Sequence, residues 1–487
     1  MIPLRKLFEE AFPDSDYHAS LPDILIHHLE CDSRSVKENC LFVAVHGVKK
    51  DGSEFIREAI QKGAVAVVTE KNESPQRGIP FIVVPDCRLA VAKLAAAFYG
   101  HPSKKMKAVG ITGTNGKTTS SYLVEHFLEA ENKKVGVMGT INYRYDGNQL
   151  PAIQTTPGPL IVQRILAQMT EAGCDHVVME VSSHALDQNR VAGIDFETAL
   201  FTNLTQDHLD YHKTFENYFE CKSRLFSNLG RQKTAVLNAD DPWFARFKEK
   251  TVSKTLSYGI KNPADLGMQN LRWEAGHTFF EVLFGGGKMN VDSPLIGTHN
   301  VYNVLGALGV MEALGVDVKR SAAHLKSFRG VPGRLETIDC GQNFMVFVDY
   351  AHTPDGLENV LMSLRSYRQN RLIVVFGCGG DRDKTKRPKM GEIVARLCDH
   401  VVVTSDNPRS ENPKIIAEEV RAGFPAGFTG YSVVIDRKKA IRHALLLARK
   451  GDIVLLAGKG HETVQVIENE TIHLSDREEA QRVLNGH

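Results

Sequence analysis

Residues 110–119 read GITGTNGKTT, between the apolar pair Ala108 and Val109 and an amphipathic stretch that begins at Ser120. A strand that turns through glycines directly into a helix start is the arrangement that cradles nucleotide phosphates at the strand's carboxyl end. Gly113 and Gly116 let the backbone pass close to an anion. N–H groups at the helix start face that anion, and Lys117 adds a point charge. Thr118 is placed to offer a hydroxyl to Mg²⁺. The loop departs from G-x-x-x-x-G-K-[ST], because Ile111 stands where the first glycine belongs. Many glycine turns serve packing only, but G-K-T-T after a strand favours phosphate binding, and ATP or GTP is the expected ligand.

At 487 residues the chain exceeds one ordinary core, so several domains are expected. A formal net charge of +1 gives no reason to expect nucleic acid or an anionic membrane as partner. No apolar run approaches the roughly twenty residues that span a bilayer. The opening MIPLRKLFEEAFPD lacks the apolar core of a signal peptide, so a cytoplasmic protein without membrane insertion is expected. The eight cysteines include no C-x-x-C pair. Cys174 and Cys398 sit by apolar runs and read as buried thiols of a reducing compartment.

Three blocks follow, with boundaries expected at 1–106, 107–331 and 332–487. The first holds short strand candidates at 40–45, 64–69 and 80–85 and a helix pattern at 88–99, an α/β domain ending in the charged linker GHPSKKMK. The second alternates apolar runs (134–139, 175–182, 198–204, 234–238) with helical segments. That alternation predicts a mainly parallel sheet covered by helices, and 253–295 reads as an antiparallel addition. The third repeats the alternation from 344 to 458, which predicts a second, Rossmann-like α/β domain.

In open α/β sheets ligands collect at the carboxyl ends of strands. Glu180, Ser182, Ser183 and His184 follow one candidate strand, and a carboxylate there suits Mg²⁺ or a held water, with a helix-capping acid as the plain alternative. TNLTQDHLDYH gathers Asp207, His208, Asp210 and His212. Asn300 and Asn303 stand at a helix start, as caps or as contacts to a base or phosphate. Asp349 and His352 follow another strand, within reach of a ribose or phosphate. Arg334 stands where it can reach a phosphate across a hinge. GCGGDRDKTKRP (377–388) is either a solvated basic loop or one that receives a substrate carboxylate.

Together and in this order, GTNGKTT, MEVSSHAL, TNLTQDHLDYH, GTHNVYN, GR at 333–334 and DYAHTP resemble the Mur ligase family of ATP-dependent, amide-forming amino-acid ligases. DSR at 32–34, TTP at 155–157, SSHALDQNR, YFECKSRLF and GKGHE resemble its third-amino-acid-adding branch. The resemblance spans roughly residues 31 to 465, and GTNGKTT is that family's own form of the loop. It implies that Gly113, Thr114, Asn115, Gly116, Lys117, Thr118 and Thr119 hold the ATP phosphates, with Asn300, Arg334, Asp349 and His352 on the rest of the nucleotide. Thr118, Glu180 and His208 surround Mg²⁺ in that picture. Lys222 matches a lysine that the family carries as a carbamate, a carboxylate able to bind a second metal ion; the plain alternative is a surface helix cation. Lys117, Glu180, His208 and Lys222 would be catalytic. Ser33 and Val48, Lys49 and Lys50 would hold the uridine nucleotide; Gln154, Thr155, Thr156, Ser182, Gln188 and Arg190 would hold the muramoyl-peptide.

The implied reaction makes an acyl phosphate from ATP and the γ-carboxylate of D-glutamate in UDP-N-acetylmuramoyl-L-alanyl-D-glutamate. An amine then displaces phosphate, with His208 or His352 as candidate base. SDNPR (405–409) resembles the family's motif for meso-2,6-diaminopimelate, whose distal carboxylate suits the fork of Arg409. Arg382, Asp406, Asn407, Pro408, Gly458 and Glu462 complete the expected pocket. The expected product is a peptidoglycan precursor and the expected enzyme a monomer. Enzyme rivals are the D-alanyl-D-alanine-adding Mur ligase and folylpolyglutamate synthase; a nucleotide-driven switch or motor is the rival from another class.

Overall fold

The computed structural model of the chain describes residues 1–47, 51–71, 78–274 and 277–486, with the backbone alone at 366. Three sheet-centred units follow one another. The first carries a parallel sheet of His28–Glu30, Cys40–Val43, Ala64–Thr69 and Phe81–Val83, in that order. Helices Leu4–Ala11 and Cys87–Phe98 pack on it through Leu7, Phe8, Val91 and Leu94.

The second unit is built on eight strands. Lys107–Thr112 runs through the middle, flanked in parallel by His176–Glu180 and Phe196–Phe201. Val135–Met138 and Thr234–Asn238 extend it, and the hairpin Asn142–Tyr145 and Asn148–Pro151 closes one edge. Near-continuous Val, Ile and Ala in the inner strands reflect burial on both faces. The expected antiparallel addition is only partly found. Lys254–Tyr258 pairs in parallel with Thr234–Asn238 as the outermost strand of this sheet. Gly267–Glu274, His277–Phe284 and Gly287–Ser293 do form a separate antiparallel sheet. As an edge strand, Lys254–Tyr258 buries only Tyr258 fully, so it lacks the apolar run of its neighbours.

The third unit orders its strands Glu336–Thr337, Met345–Asp349, Ile453–Ala457, Leu372–Phe376, His400–Val403 and Tyr431–Val433, all parallel but the first. A hairpin of Val464–Ile467 and Glu470–His473, not anticipated from sequence, projects beside it. The segment entering this unit is seated on it. A Cβ on Gly333 (φ 66) would lie 2.1 Å from the amide nitrogen of His461, so the hinge glycine serves a close backbone approach. Among the described residues no helix is long and apolar enough to cross a membrane.

Candidate active site

The carboxyl ends of the two large sheets face each other, and two cavities open between them. One, of about 370 Å³, runs from the phosphate loop at Asn115 and Gly116 past Asn300 and Asn303 to Arg334, Asp349 and Thr353. The other, of about 450 Å³, is lined by His184, Asp207 and His208 on one side and Arg382, Asp406, Asn407, Arg409, Gly458 and Glu462 on the other. Tyr350, His352 and Thr353 line both cavities, so these three residues form the wall between them.

The phosphate loop leaves strand Lys107–Thr112 and enters helix Lys117–Ala130 at Gly116, φ 87. The neighbouring strand end sets its shape. Thr114 N donates to the Asn203 carbonyl (2.9 Å), and Asn115 N to Asn203 Oδ1 (2.9 Å). Thr202 Oγ1 donates to the Asn115 carbonyl at 2.6 Å. A Cβ on Gly116 would lie 2.3 Å from Asn303 Oδ1, so the loop and the asparagine helix touch where only glycine fits. Asn300 and Asn303 are therefore not caps. Both are buried in helix Thr298–Ala313; Asn300 Nδ2 donates to the Ile296 carbonyl and Asn303 Nδ2 to Asn300 Oδ1. Lys117 folds back, donating to the Gly113 and Thr114 carbonyls at 2.8 Å each, and burial pushes its pKa down. Thr119 lines the first cavity.

Glu180 is the buried end of strand His176–Glu180. Its Oε2 accepts from Thr118 Oγ1 and Thr140 Oγ1, and its Oε1 from Thr140 N, each at 2.9 Å. That makes it an aligned carboxylate, not a helix cap. Thr140 escaped the sequence reading because it follows its strand as an ordinary turn residue. Among the described residues no three His, Cys, Asp or Glu side chains gather to hold a metal. Mg²⁺ commonly takes one or two carboxylates with phosphate oxygens and water, so Glu180 and Thr118 fit it beside a bound triphosphate.

Helix Phe215–Ser227 brings Lys222 under the loop, 1% exposed, so it is no surface cation. Its Nζ donates to the Gly113 carbonyl (2.9 Å) and lies 3.4 Å from Thr112 Oγ1. Burial, then the nearby Lys117 charge, hold its pKa well below the usual lysine value. A neutral amine there can take up CO₂. His208 sits in the left-handed region (φ 53) beside Asp207, and burial lowers its pKa to about 4. Burial likewise lowers that of His352. Imidazoles in this state are neutral near pH 7. They suit a metal or a hydrogen bond better than deprotonation of an alkylammonium.

Arg190 gathers the expected muramoyl-peptide residues, donating to Gln154 Oε1 (2.6 Å), the Thr156 carbonyl (2.7 Å) and Gln188 Oε1 (2.8 Å). Thr156 Oγ1 bonds the Glu180 carbonyl, and Ser182 N donates to Thr156 Oγ1. Thr155 Oγ1 lies 3.1 Å from Thr140 Oγ1, which ties the cluster to Glu180. Ser33 is held apart in the first unit by Glu58 and Lys62. Val48, Lys49 and Lys50 lie outside the described residues.

Across the cleft, Arg334 stacks on Tyr350 (4.7 Å) and reaches Thr118 Oγ1 at 3.4 Å. Asp349 accepts from Leu335 N and Ala351 N. Asp355, overlooked as a first-turn helix acid, accepts from Asn115 Nδ2 (2.7 Å) and Thr205 Oγ1 (3.2 Å) and so joins the third unit to the loop. Arg409 takes φ 51 and donates through Nη1 to the Gly380 carbonyl (2.7 Å), with the unanticipated hairpin bonded to its backbone. Burial, then the like charge of Arg382, lower its pKa. Arg382 itself donates to the Asp381 carbonyl. The Pro408 carbonyl lies 1.8 Å from where a Cβ on Gly380 would stand. The basic loop is not wholly solvated: Arg387 is fully buried between Glu411 and Glu419.

Three family models cover most of the chain: "Mur ligase family, catalytic domain" over 25–99, "Mur ligase middle domain" over 111–311 and "Mur ligase, glutamate ligase domain" over 333–460. The UDP-N-acetylmuramoyl-L-alanyl-D-glutamate–2,6-diaminopimelate ligase of Geobacillus thermodenitrificans is 46% identical over 462 residues, 94% of each chain. The ligase of that name from Gloeobacter violaceus is 46% identical over 468 residues, 96% of this chain and 95% of its own. A solved structure of an enzyme of that name matches at TM-score 0.71 and 32% identity, covering 98% of both chains. Family models, full-length relatives and fold agree: the chain belongs to the Mur ligase family.

Proposed function

We propose that the chain is an ATP-dependent acid–amino-acid ligase. It joins meso-2,6-diaminopimelate to the D-glutamate γ-carboxylate of UDP-N-acetylmuramoyl-L-alanyl-D-glutamate, as a cytoplasmic monomer in peptidoglycan precursor synthesis. The observation that carries this reading is the pair of cavities sharing the Tyr350–Thr353 wall: a phosphate loop opens into one, and paired arginines and acids line the other.

The γ-carboxylate oxygen attacks the γ-phosphorus of ATP, the bond to ADP breaks, and an acyl phosphate forms. Lys117 leaves its two carbonyl partners for the phosphates, and Arg334 meets the same charge from the opposite unit. Glu180, Thr118 and His208 would hold Mg²⁺, which when bound would neutralise phosphate charge; Lys222, as a carbamate, would supply a further carboxylate. The amine of diaminopimelate then attacks the carbonyl carbon. The tetrahedral adduct expels phosphate, and the proton of the attacking nitrogen leaves to solvent. Arg190 with Gln154, Thr155, Thr156, Ser182 and Gln188 orients the peptide, and Ser33 the uridine end. Arg409 and Arg382 face the distal carboxylate, while Asp406 and Glu462 face the ammonium beside it.

The test supplies ATP, UDP-muramoyl-dipeptide and diaminopimelate together and singly. Phosphate release matched by product of the expected mass supports the ligase. Hydrolysis independent of both acceptors identifies a nucleotide switch instead.

A further inference from the structure

We infer that Lys459 is a positioning residue for amino-acid recognition, fixing Asn407 and Glu462 in the geometry that the incoming amino acid meets. This rests on the larger cavity being the amino-acid site. Lys459 follows strand Ile453–Ala457 and its side chain is fully buried, an unusual place for an ammonium. Its Nζ lies 3.0 Å from Glu462 Oε2 and 3.2 Å from Asn407 Oδ1, both residues of the cavity wall.

The bonds leave little freedom. Asn407 Oδ1 accepts from Lys459 Nζ and from Val466 N (3.0 Å), so the amide can present only its nitrogen to Glu462. Asn407 Nδ2 donates to Glu462 Oε2 at 2.9 Å. Glu462 Oε2 thus accepts two donors, which turns Oε1 toward other partners. Without the cation, Asn407 Oδ1 keeps only Val466 N, and Glu462 Oε2 keeps only Asn407 Nδ2, so the carboxylate is held by one donor in place of two.

The backbone supports this reading. Lys459 lies between two left-handed glycines, Gly458 (φ 110) and Gly460 (φ 53). A Cβ on Gly458 would approach Asp406 Oδ2 to 2.9 Å, and one on Gly460 the Gly333 carbonyl to 2.7 Å. The loop is thereby pressed between the cavity acid and the hinge segment with Lys459 turned inward. Among the described residues, the side-chain hydrogen bonds of Lys459 go to Asn407 and Glu462, on the amino-acid wall.

The experiment is steady-state kinetics of Lys459→Met, Glu462→Gln and the double variant with full-length enzyme. A hydrogen bond to a charged group is worth about 1.5–3 kcal/mol, so KM for diaminopimelate should rise about tenfold to a hundredfold in Lys459→Met. KM for ATP should stay within about twofold, which a distortion spread through both cavities would not allow. Adding Lys459→Met to Glu462→Gln should cost much less than in wild type, since both act through one network. An unchanged KM for diaminopimelate, additive effects, or parallel rises in both KM values would overturn the inference. If Lys459→Met is insoluble, Lys459→Arg against Lys459→Gln carries the comparison, the arginine keeping the lower KM. If the wild type ligates a different amino acid, the functional reading fails, and the same cycle on that substrate's KM decides the role of Lys459.

Discussion

Replacing Lys222 with Met should separate stability from activity. Lys222 is 1% exposed, and its two acceptors are a carbonyl and a hydroxyl, not carboxylates. Removing it leaves neither orphaned: Lys117 Nζ still donates to the Gly113 carbonyl at 2.8 Å, and Thr112 Oγ1 still bonds the Val181 carbonyl at 2.8 Å. The cost is therefore about one neutral hydrogen bond, about 1 kcal/mol. Against it stands the relief of a desolvated amine beside Lys117, whose remaining N–H groups an apolar side chain of like volume does not bury unpaired. The unfolding midpoint, measured without metal or added CO₂, should hold or rise by up to about 4 °C. Turnover should fall by about a hundredfold or more, because the site loses a preorganised group next to the transferring phosphoryl. Short carboxylic acids should restore part of the rate by supplying the missing oxygens. A midpoint lowered by more than about 6 °C, or near-normal turnover, would refute the reasoning.

Asp355→Ala removes the carboxylate that ties Asn115 and Thr205 to the third unit. Small-angle scattering with an ATP analogue and UDP-substrate should then show a more open particle, with kcat lowered about tenfold; an unchanged profile and rate would dismiss the latch. His212 is buried against Ser183 Oγ (2.9 Å), and burial lowers its pKa to about 4 from the usual 6.5. The unfolded chain takes up that proton first, so its contribution to stability is intact above about pH 6.5 and is lost as pH falls toward 4. Melting curves across this window should steepen less for His212→Asn than for wild type; identical curves would remove His212 from the account.

Strands of the inner sheets were legible because burial on both faces leaves continuous apolar runs, as in Leu372–Phe376 and Ile453–Ala457. Edges were not. Lys254–Tyr258 and the Val464–His473 hairpin are held by backbone pairing, with few buried side chains to betray them. Residues of the site carrying distinctive chemistry stood out, Lys117, Glu180, His208 and Arg409 among them. Their supports did not. Thr140, Asn203 and Asp355 are ordinary turn or helix-start residues in sequence, and only the meeting of strand ends gives them partners. The burial of Lys222 and Arg387 was equally hidden, since a charged side chain in a polar segment looks solvated until the opposing surface is in place.

The most direct test is kcat/KM for meso-diaminopimelate and for L-lysine, in wild type and in Arg409→Ala. Arg409 stands on the cavity wall with Arg382 beside it, so lysine would place an ammonium against unpaired guanidinium. A site built around such a pair rejects the analogue lacking the carboxylate by about four orders of magnitude. Wild type should prefer diaminopimelate by that order. Arg409→Ala should lose most of its use of diaminopimelate, chiefly through KM, without gaining efficient use of lysine. Comparable use of both amino acids by the wild type would contradict the account.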